Sequence, residues 1–309
     1  MRLKTILVLC FLGAAVCHGC SGTEQPNRAE PRSEVLFSLT RASDETSGGD
    51  VCSLDVLVFR QNGSLDGASH CDGQTASIKL ISGQTLSYHI VANAPSGVFD
   101  NVATERQYRA LRSRLEDSSM SFVMSGDGVF LPDTLSGPVR VTLTRLVSKV
   151  TLGSVTPLMM KGGLMQRSVI FQSVFLMNAS GSVPYDRTPV SELLFNVASA
   201  QIDAPSSLSK SIGIPFVSQA SVPLDGCTLY SCPNPAESTS LVLVVDVDGQ
   251  SMYYQAPLPA MDSGKEYIIS EMVLAGPGSS EPGEPALRDS VCFTIEVRDW
   301  TASGQETTI

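Results

Sequence analysis

The chain has 309 residues, 42% hydrophobic and 17% charged, with a formal net charge of −10. That length accommodates two modest domains or one large β domain, and that apolar share excludes global disorder. The acidic balance excludes a nucleic-acid binder, whose phosphate contacts need Lys and Arg; His18, His70 and His89 are too few for a zinc site or a Ser-His-Asp triad.

Met1 to Gly19 read as a secretory signal peptide: Arg2 and Lys4 supply the positive start, and Ile6 to Val16 an apolar run too short to span a bilayer. Small Gly19 stands directly before Cys20, the arrangement in which a lipoprotein thiol takes a diacylglycerol. Cys20 is the expected lipidation site, and an ordinary signal peptide cut nearby is the alternative. Ser21 to Arg32 is polar and Pro-bearing, as a tether is. Val35, Phe37 and Leu39 then alternate at period two, a first strand, followed at once by Arg41 and the polar stretch from Ala42 to Asp50. Read alone, these residues give a permanent strand and a surface charge.

Leu54 to Phe59 forms the next strand and Asn62-Gly63 a turn. Ile78 to Ile81 and Leu86 to Ala92 are expected to form a hairpin through Ser82-Gly83-Gln84. Tyr108, Leu111 and Leu115 at helical spacing predict one helix over Ala103 to Glu116, with Arg106, Arg109, Arg112 and Arg114 on a solvated face. Val139 to Leu152 alternates for long enough to be one long strand, or two joined by a bend, with a break at Arg145 to Val147.

The composition shift from Gly153 to Gly163, with Met159 and Met160, marks a domain seam; the N-terminal domain is placed at 42–153 and the C-terminal domain at 154–309. Strands are expected at Ser168 to Met177, Leu193 to Val197, Leu241 to Val247, Ser251 to Gln255, Glu266 to Leu274 and Val291 to Asp299, with Asp248-Gly249 as a hairpin turn and not a calcium loop. Gly276 to Pro285 is an exposed connection. This series of short strands predicts an all-β chain of sandwiches with one short helix.

Cys10, Cys17 and Cys20 belong to the leader. In the exported body, Cys227 can close a small loop with Cys232, Cys52 can pair with Cys71, and Cys292 is left as a buried thiol. No metal-ligand spacing, GxSxG elbow, HExxH, P-loop or GxGxxG is present, so no metal, cofactor or catalytic group is assigned. No spacing identifies a carboxylate pair, and aromatic residues at 6% with a single Trp, Trp300, weigh against sugar chemistry.

Several segments in order resemble the fimbrillins of Bacteroidales-type bacteria, the subunits of type V pili. Val51-Cys-Ser-Leu-Asp-Val-Leu-Val-Phe59 followed by Gly63 resembles their first body strand, and Phe122-Val-Met-Ser-Gly126 their Met-Ser-Gly segment. Leu143-Thr-Arg-Leu-Val-Ser-Lys-Val150 and Phe293-Thr-Ile-Glu-Val-Arg-Asp-Trp300 are similar to two further family strands. The resemblance implies two tandem transthyretin-like sandwiches and a precursor held on the outer membrane by its lipid. It implies that an Arg-specific protease cuts between Arg41 and Ala42, so that 20–41 acts as a propeptide carrying the removable strand of Val35, Phe37 and Leu39. A strand of another fimbrial subunit then fills the slot, and the fibre serves adhesion to a host or bacterial surface receptor. Only Thr301 to Ile309 follows Trp300, so the donor either includes part of the Val291 strand or is absent, as in a tip subunit. A pilus anchor that keeps its leader and a glycan-binding surface lipoprotein are the alternatives.

Overall fold

A computed structural model describes residues 30–39, 51–134, 137–158, 168–197, 205–216, 220–284 and 290–300. The leader, Cys20, Arg41, Ala42, Met159 to Gly163 and the tail after Trp300 lie outside the described residues. Met1–Pro31 is a unit separate from Arg32–Ile309, which contains all the strands below.

The first half contributes β1 (Arg32–Leu39), β2 (Ser53–Arg60), β3 (Leu65–Asp72), β4 (Thr75–Ile81), β5 (Leu86–Ala92), the helix α1 (Glu105–Ala110), β6 (Arg112–Arg114), β7 (Met124–Phe130), β8 (Val139–Val141) and β9 (Thr144–Arg145). The second half contributes β10 (Ser148–Pro157), β11 (Val169–Met177), β12 (Ala179–Ser180), β13 (Ser182–Pro184), β14 (Leu194–Phe195), β15 (Ser209–Pro215), β16 (Val222–Pro223), β17 (Thr228–Ser231), β18 (Ser240–Val247), β19 (Gln250–Pro257), β20 (Lys265–Leu274), β21 (Val291–Phe293) and β22 (Glu296–Asp299).

Two sandwich-like bodies result. In the first, a three-stranded sheet, β4-β1-β8, belongs with a five-stranded one, β3-β2-β5-β7-β9. Val35, Phe37, Val56, Val58, Ile78, Leu80, Ile90 and Val141 fill the core between them. In the second, a sheet ordered β16-β10-β20-β21, with β17 also on β10 and β22 also on β20, accompanies β15-β11-β18-β19. The second core is continuous with the other face of β2, where Leu57 and Phe59 are buried. Burial on both faces is why Val56-Leu-Val-Phe59 reads as an unbroken apolar run and not as an alternation.

The expected strands at Leu54, Ser168, Leu241, Ser251 and Glu266 are present as β2, β11, β18, β19 and β20. Asp248 and Gly249 take φ of 53° and 84° at the β18–β19 turn, as a tight hairpin requires.

Other expectations are corrected. The expected β4–β5 hairpin does not form: β4 pairs with β1 in one sheet and β5 with β2 and β7 in the other, so Ser82-Gly83-Gln84 carries the chain across the sandwich. Val139 to Leu152 divides into β8, β9 and β10, each in a different sheet. Val291 to Asp299 is interrupted into β21 and β22, both on β20. The expected seam at Gly153 falls inside β10, which pairs in parallel with β20 from Lys149 to Pro157. The chain changes body at buried Leu146 and Val147, between β9 and β10. Gly153 is there because a Cβ would come 2.6 Å from the Ser270 carbonyl oxygen, so it marks a close strand approach and not a loop.

The helix is shorter than its periodicity predicts. Thr104 and Gln107 form a capping box at its start, but Leu111 at φ −77° and ψ 150° ends it. Arg112–Arg114 becomes strand because it pairs with Ser182–Pro184 of the second body. Leu115, the third residue of the helical pattern, begins a 3-10 turn, Leu115–Ser118.

Candidate functional site

The first strand is the one segment to which the sequence assigned a task, and its seat can be built residue by residue. β1 is a middle strand. On one side it runs antiparallel to β4, from Arg32 opposite Ile81 to Ser38 opposite Thr75. On the other it runs parallel to β8, with Phe37, Ser38 and Leu39 beside Val139, Arg140 and Val141. The period-two pattern turns Val35 and Phe37 inward, 2% and 0% exposed, while Leu36 faces out at 45%. Leu39 is half-buried against the same core. The Phe37 ring meets Tyr88 and Phe130 edge-on, both at 5.5 Å between centroids. Removal of β1 would leave β4 and β8 two strand spacings apart, about 9.5 Å, with unpaired backbone groups on both lips and an apolar floor.

Polar contacts fix the strand's start. Arg32 Nη1 donates to the Lys79 carbonyl at 3.0 Å, and Ser77 donates to Glu34 Oε1 at 2.6 Å. The Ser33 and Ser82 hydroxyls lie 2.6 Å apart. Arg32 Nη2 also stands 3.4 Å from Asp66 Oδ1. Asp66, whose side chain is fully buried, accepts from Arg60 Nε at 2.9 Å and from the Ile81 amide at 2.9 Å.

Sequence reasoning missed two parts of this arrangement. Asp66 reads as a polar residue near a turn, and no local signal exposes its role. The second part was in plain view: Arg288-Asp-Ser-Val-Cys-Phe-Thr-Ile295 aligns without a gap on β1, Arg32-Ser-Glu-Val-Leu-Phe-Ser-Leu39. Arg, Val and Phe coincide, and Thr and Ile stand for Ser and Leu; an inspection for self-matches of strand length would have found it. Part of this copy is β21, an edge strand in which Val291 and Phe293 are only half-buried.

The expected disulfides are not made, and all five cysteines of the body are free. Cys227 and Cys232 flank the extended strand β17, which separates their Cα atoms by about 16 Å, far beyond disulfide reach. Burial pushes the Cys227 thiol up to about 11 and the Cys232 thiol higher still. Cys71 lies opposite Leu54 and donates to the Thr75 carbonyl at 3.1 Å, while Cys52 is diagonal to it and lies 3.8 Å from the Ser121 hydroxyl. Cys292, expected inside, is exposed.

A cavity of about 360 Å³ lies beside β5 and α1, lined by His89, Glu105, Arg109 and Asp127 among others. Its charges are spent on one another and on neighbours. Arg109 bonds Glu105 at 2.7 Å and Asp186 at 2.9 Å, and Asp127 pairs with Arg187. Against the opposing effect of burial, Glu105 is held below the usual carboxylate range by its hydrogen bonds with His89 and Arg109, and Asp186 by those with Thr188 and Arg109. Of the Arg side chains expected on a solvated helix face, Arg109 is paired in this way and Arg112 pairs with Glu192. Among the described residues no group of His, Cys, Asp and Glu is placed to hold a metal.

No family model and no curated protein matches the sequence. Solved structures do match. A protein described as a cell adhesion protein, from Bacteroides eggerthii, superposes with a TM-score of 0.69 at 19% identity, over 88% of this chain and 97% of that one. A fimbrilin from Porphyromonas gingivalis gives 0.64 at 13% identity, over 88% and 98%. The chain has the fold of the Bacteroidales fimbrillins. The tip fimbrial protein Mfa3 of Porphyromonas gingivalis, with a C-terminal truncation, shares that fold at a TM-score of 0.51 and 16% identity, over 87% of this chain and all of the other. Each of these fimbrillin-fold relatives is matched over nearly its whole length, so the likeness covers both bodies and not one sandwich alone.

Proposed function

We propose that this protein is a structural, non-catalytic subunit of a bacterial fimbria, stalk or tip, acting in adhesion. In this reading it is exported as a lipoprotein lipidated on Cys20 and carried on the outer membrane. An Arg-specific protease cuts between Arg41 and Ala42, β1 leaves, and a strand of a neighbouring subunit takes the seat.

The observation that carries the reading is the position of β1. It is the first strand of the body, it lies mid-sheet, and its inward residues complete a core whose other members all come from 51–143. A strand so placed can depart without breaking the chain that forms the rest of the body. Its loss leaves an open slot whose unpaired amides and carbonyls select for an extended segment. Each fully buried anchor in the slot contributes about 1.5–3 kcal/mol, and Val35 and Phe37 occupy two such places.

The segment containing Val291, Phe293 and Ile295 suits the donor role. Those side chains are half-buried in their own edge position and would become fully buried in a neighbour's slot, which favours exchange. Donation from this segment needs no long tail after Trp300, so a stalk position remains open to the chain.

Incubation of the precursor with an Arg-specific protease is expected to give a ladder of SDS-resistant multimers whose subunits begin at Ala42. Trimmed protein that stays monomeric with partner subunits present overturns the assembly mechanism. Surface-extracted protein that still begins at lipidated Cys20 identifies an anchor that keeps its leader.

A further inference from the structure

The slot reads a strand by its alternation, and alternation alone leaves the register open. A one-residue slip turns the apolar set outward and is excluded. A two-residue slip keeps the face. Val291, Phe293, Ile295 and Val297 are four apolar residues at period two, and β1 places three, at Val35, Phe37 and Leu39. A strand like 291–297 can therefore enter in more than one register with an apolar residue at every inward position.

Asp66 supplies what the apolar pattern lacks. Its carboxylate is 0% exposed and sits at the end of the seat, bonded to Arg60 Nη2 at 2.8 Å and to the Ile81 amide. β1 brings Arg32 to it, and that guanidinium also bonds the Lys79 carbonyl. When β1 departs, the carboxylate loses one of these two cations. A buried carboxylate is stabilised by each cation that reaches it, so the vacated place favours a strand carrying Arg at the same distance from its anchors. Arg288 lies three residues before Val291, as Arg32 lies three before Val35. A two-residue slip would move that Arg by about 7 Å, out of reach of Asp66.

We propose that Asp66 is the register-determining residue of the seat, and that the occupant it selects after β1 leaves is the Arg288–Ile295 segment of a second copy of this chain, with Arg288 in the place of Arg32. The proposal rests on the strand-replacement reading above. Phe293 then takes the place of Phe37 between Tyr88 and Phe130, and Thr294 and Ile295 follow Ser38 and Leu39. The match is incomplete at two polar positions: Ser290 replaces Glu34, the acceptor of the Ser77 hydroxyl, and Asp289 faces Ser82 in place of Ser33. Ser290 falls on the outward face with Glu34, while Asp289, like half-buried Ser33, falls on the inward side at the strand's start, ahead of the first apolar anchor.

The test uses the full chain with Phe293→Asp, which keeps its own segment from donating, trimmed with the Arg-specific protease and then freed of protease activity. Binding of a labelled peptide of 288–295, with Cys292→Ser to prevent oxidation, is compared with that of the same peptide carrying Arg288→Ala. The alanine peptide is expected to bind about tenfold more weakly, the scale of one hydrogen bond to a charged group. On an Asp66→Asn acceptor the two peptides are expected to bind alike. Equal binding of both peptides to the acceptor with Asp66 intact overturns the register assignment and leaves strand replacement standing. Binding of neither peptide, together with failure of the unmodified trimmed chain to form multimers, overturns the reading beneath it. The two peptides decide the matter on the Asp66 acceptor even if Asp66→Asn does not fold.

Discussion

His89 carries a burden that its neighbours only half relieve. Its side chain is 5% exposed, with the Tyr108 ring 4.4 Å away and the Phe59 ring 5.7 Å away. Nε2 lies 3.0 Å from Glu105 Oε1, but Nδ1 is buried without a partner. A protonated ring would need a second acceptor there, and burial lowers its pKa below 6.5 more strongly than Glu105 raises it. The folded state therefore holds a neutral ring over a range in which the unfolded chain is already protonated. No stability depends on this group above about pH 6.5; below it the unfolded state binds more protons, and stability falls as pH falls. His70 acts in the opposite sense. Its hydrogen bond to Asp55 raises its pKa, so its contribution is present below the unfolded pKa and is lost as pH rises through the folded one. Glu105 is depressed, and its contribution is lost only at lower pH, as its folded pKa is crossed. His89→Gln is expected to shrink the drop in urea midpoint between about pH 7.5 and about pH 5.5, whatever it does to stability at either pH alone. An unchanged drop would assign the pH dependence to other groups.

At the scale of single elements, the seat of β1 makes its own forecast. The amides of β4 and β8 on the lips of the slot are bonded to β1 or masked by it. On trimming, hydrogen exchange is expected to speed up across Thr75–Ile81 and Val139–Val141, with β18 unaffected in the other body, and to slow again when multimers form. Protection that persists in trimmed monomer would mean that the cut β1 stays bound. Much of this element-level picture was legible in the sequence. Val35, Phe37 and Leu39 alternate because only one face of β1 is buried, and Leu241 to Val247 is continuous because β18 is buried on both. What stayed hidden depends on partners distant in the chain. Ser82-Gly83-Gln84 has the composition of a hairpin turn, yet whether two strands pair or part is decided by β1, which claims β4. Gly153 looks like a breaker because its neighbour, the Ser270 carbonyl, lies over a hundred residues away. Arg112–Arg114 is helical by spacing, and only Ser182–Pro184 makes it a strand. Asp66 is an ordinary polar residue until Arg32, Arg60 and Ile81 converge on it.

The two bodies are joined by more than the chain that runs between them. Trp300, 5% exposed at the end of the last strand, packs on Phe122 of the first body at 4.9 Å and on Tyr230 of the second at 5.6 Å. The Arg145 guanidinium of β9 lies 4.3 Å over its ring and donates to its carbonyl at 3.1 Å, and Lys149 of β10 approaches the same ring at 5.5 Å. The Trp300 amide is bonded to the Gly264 carbonyl at 2.9 Å, which ties the ring to the turn before β20. A cation over an aromatic face is worth about 2 kcal/mol when desolvated, and here both cations flank the change of body at Leu146 and Val147. The core that begins on the outer face of β2 continues through this junction into the second sandwich, so the bodies are expected to unfold together. If a donor segment leaves the edge of β20, Trp300 is the point at which the carboxyl end stays attached, and pulling force along a fibre would pass through it. Trp300→Ala should cost about 3–5 kcal/mol and split a single calorimetric transition into two, because it removes the ring that both bodies share. The split is the decisive readout: a lower but still single transition would mean that Phe59, Tyr108 and the β6–β13 pairing couple the bodies without it.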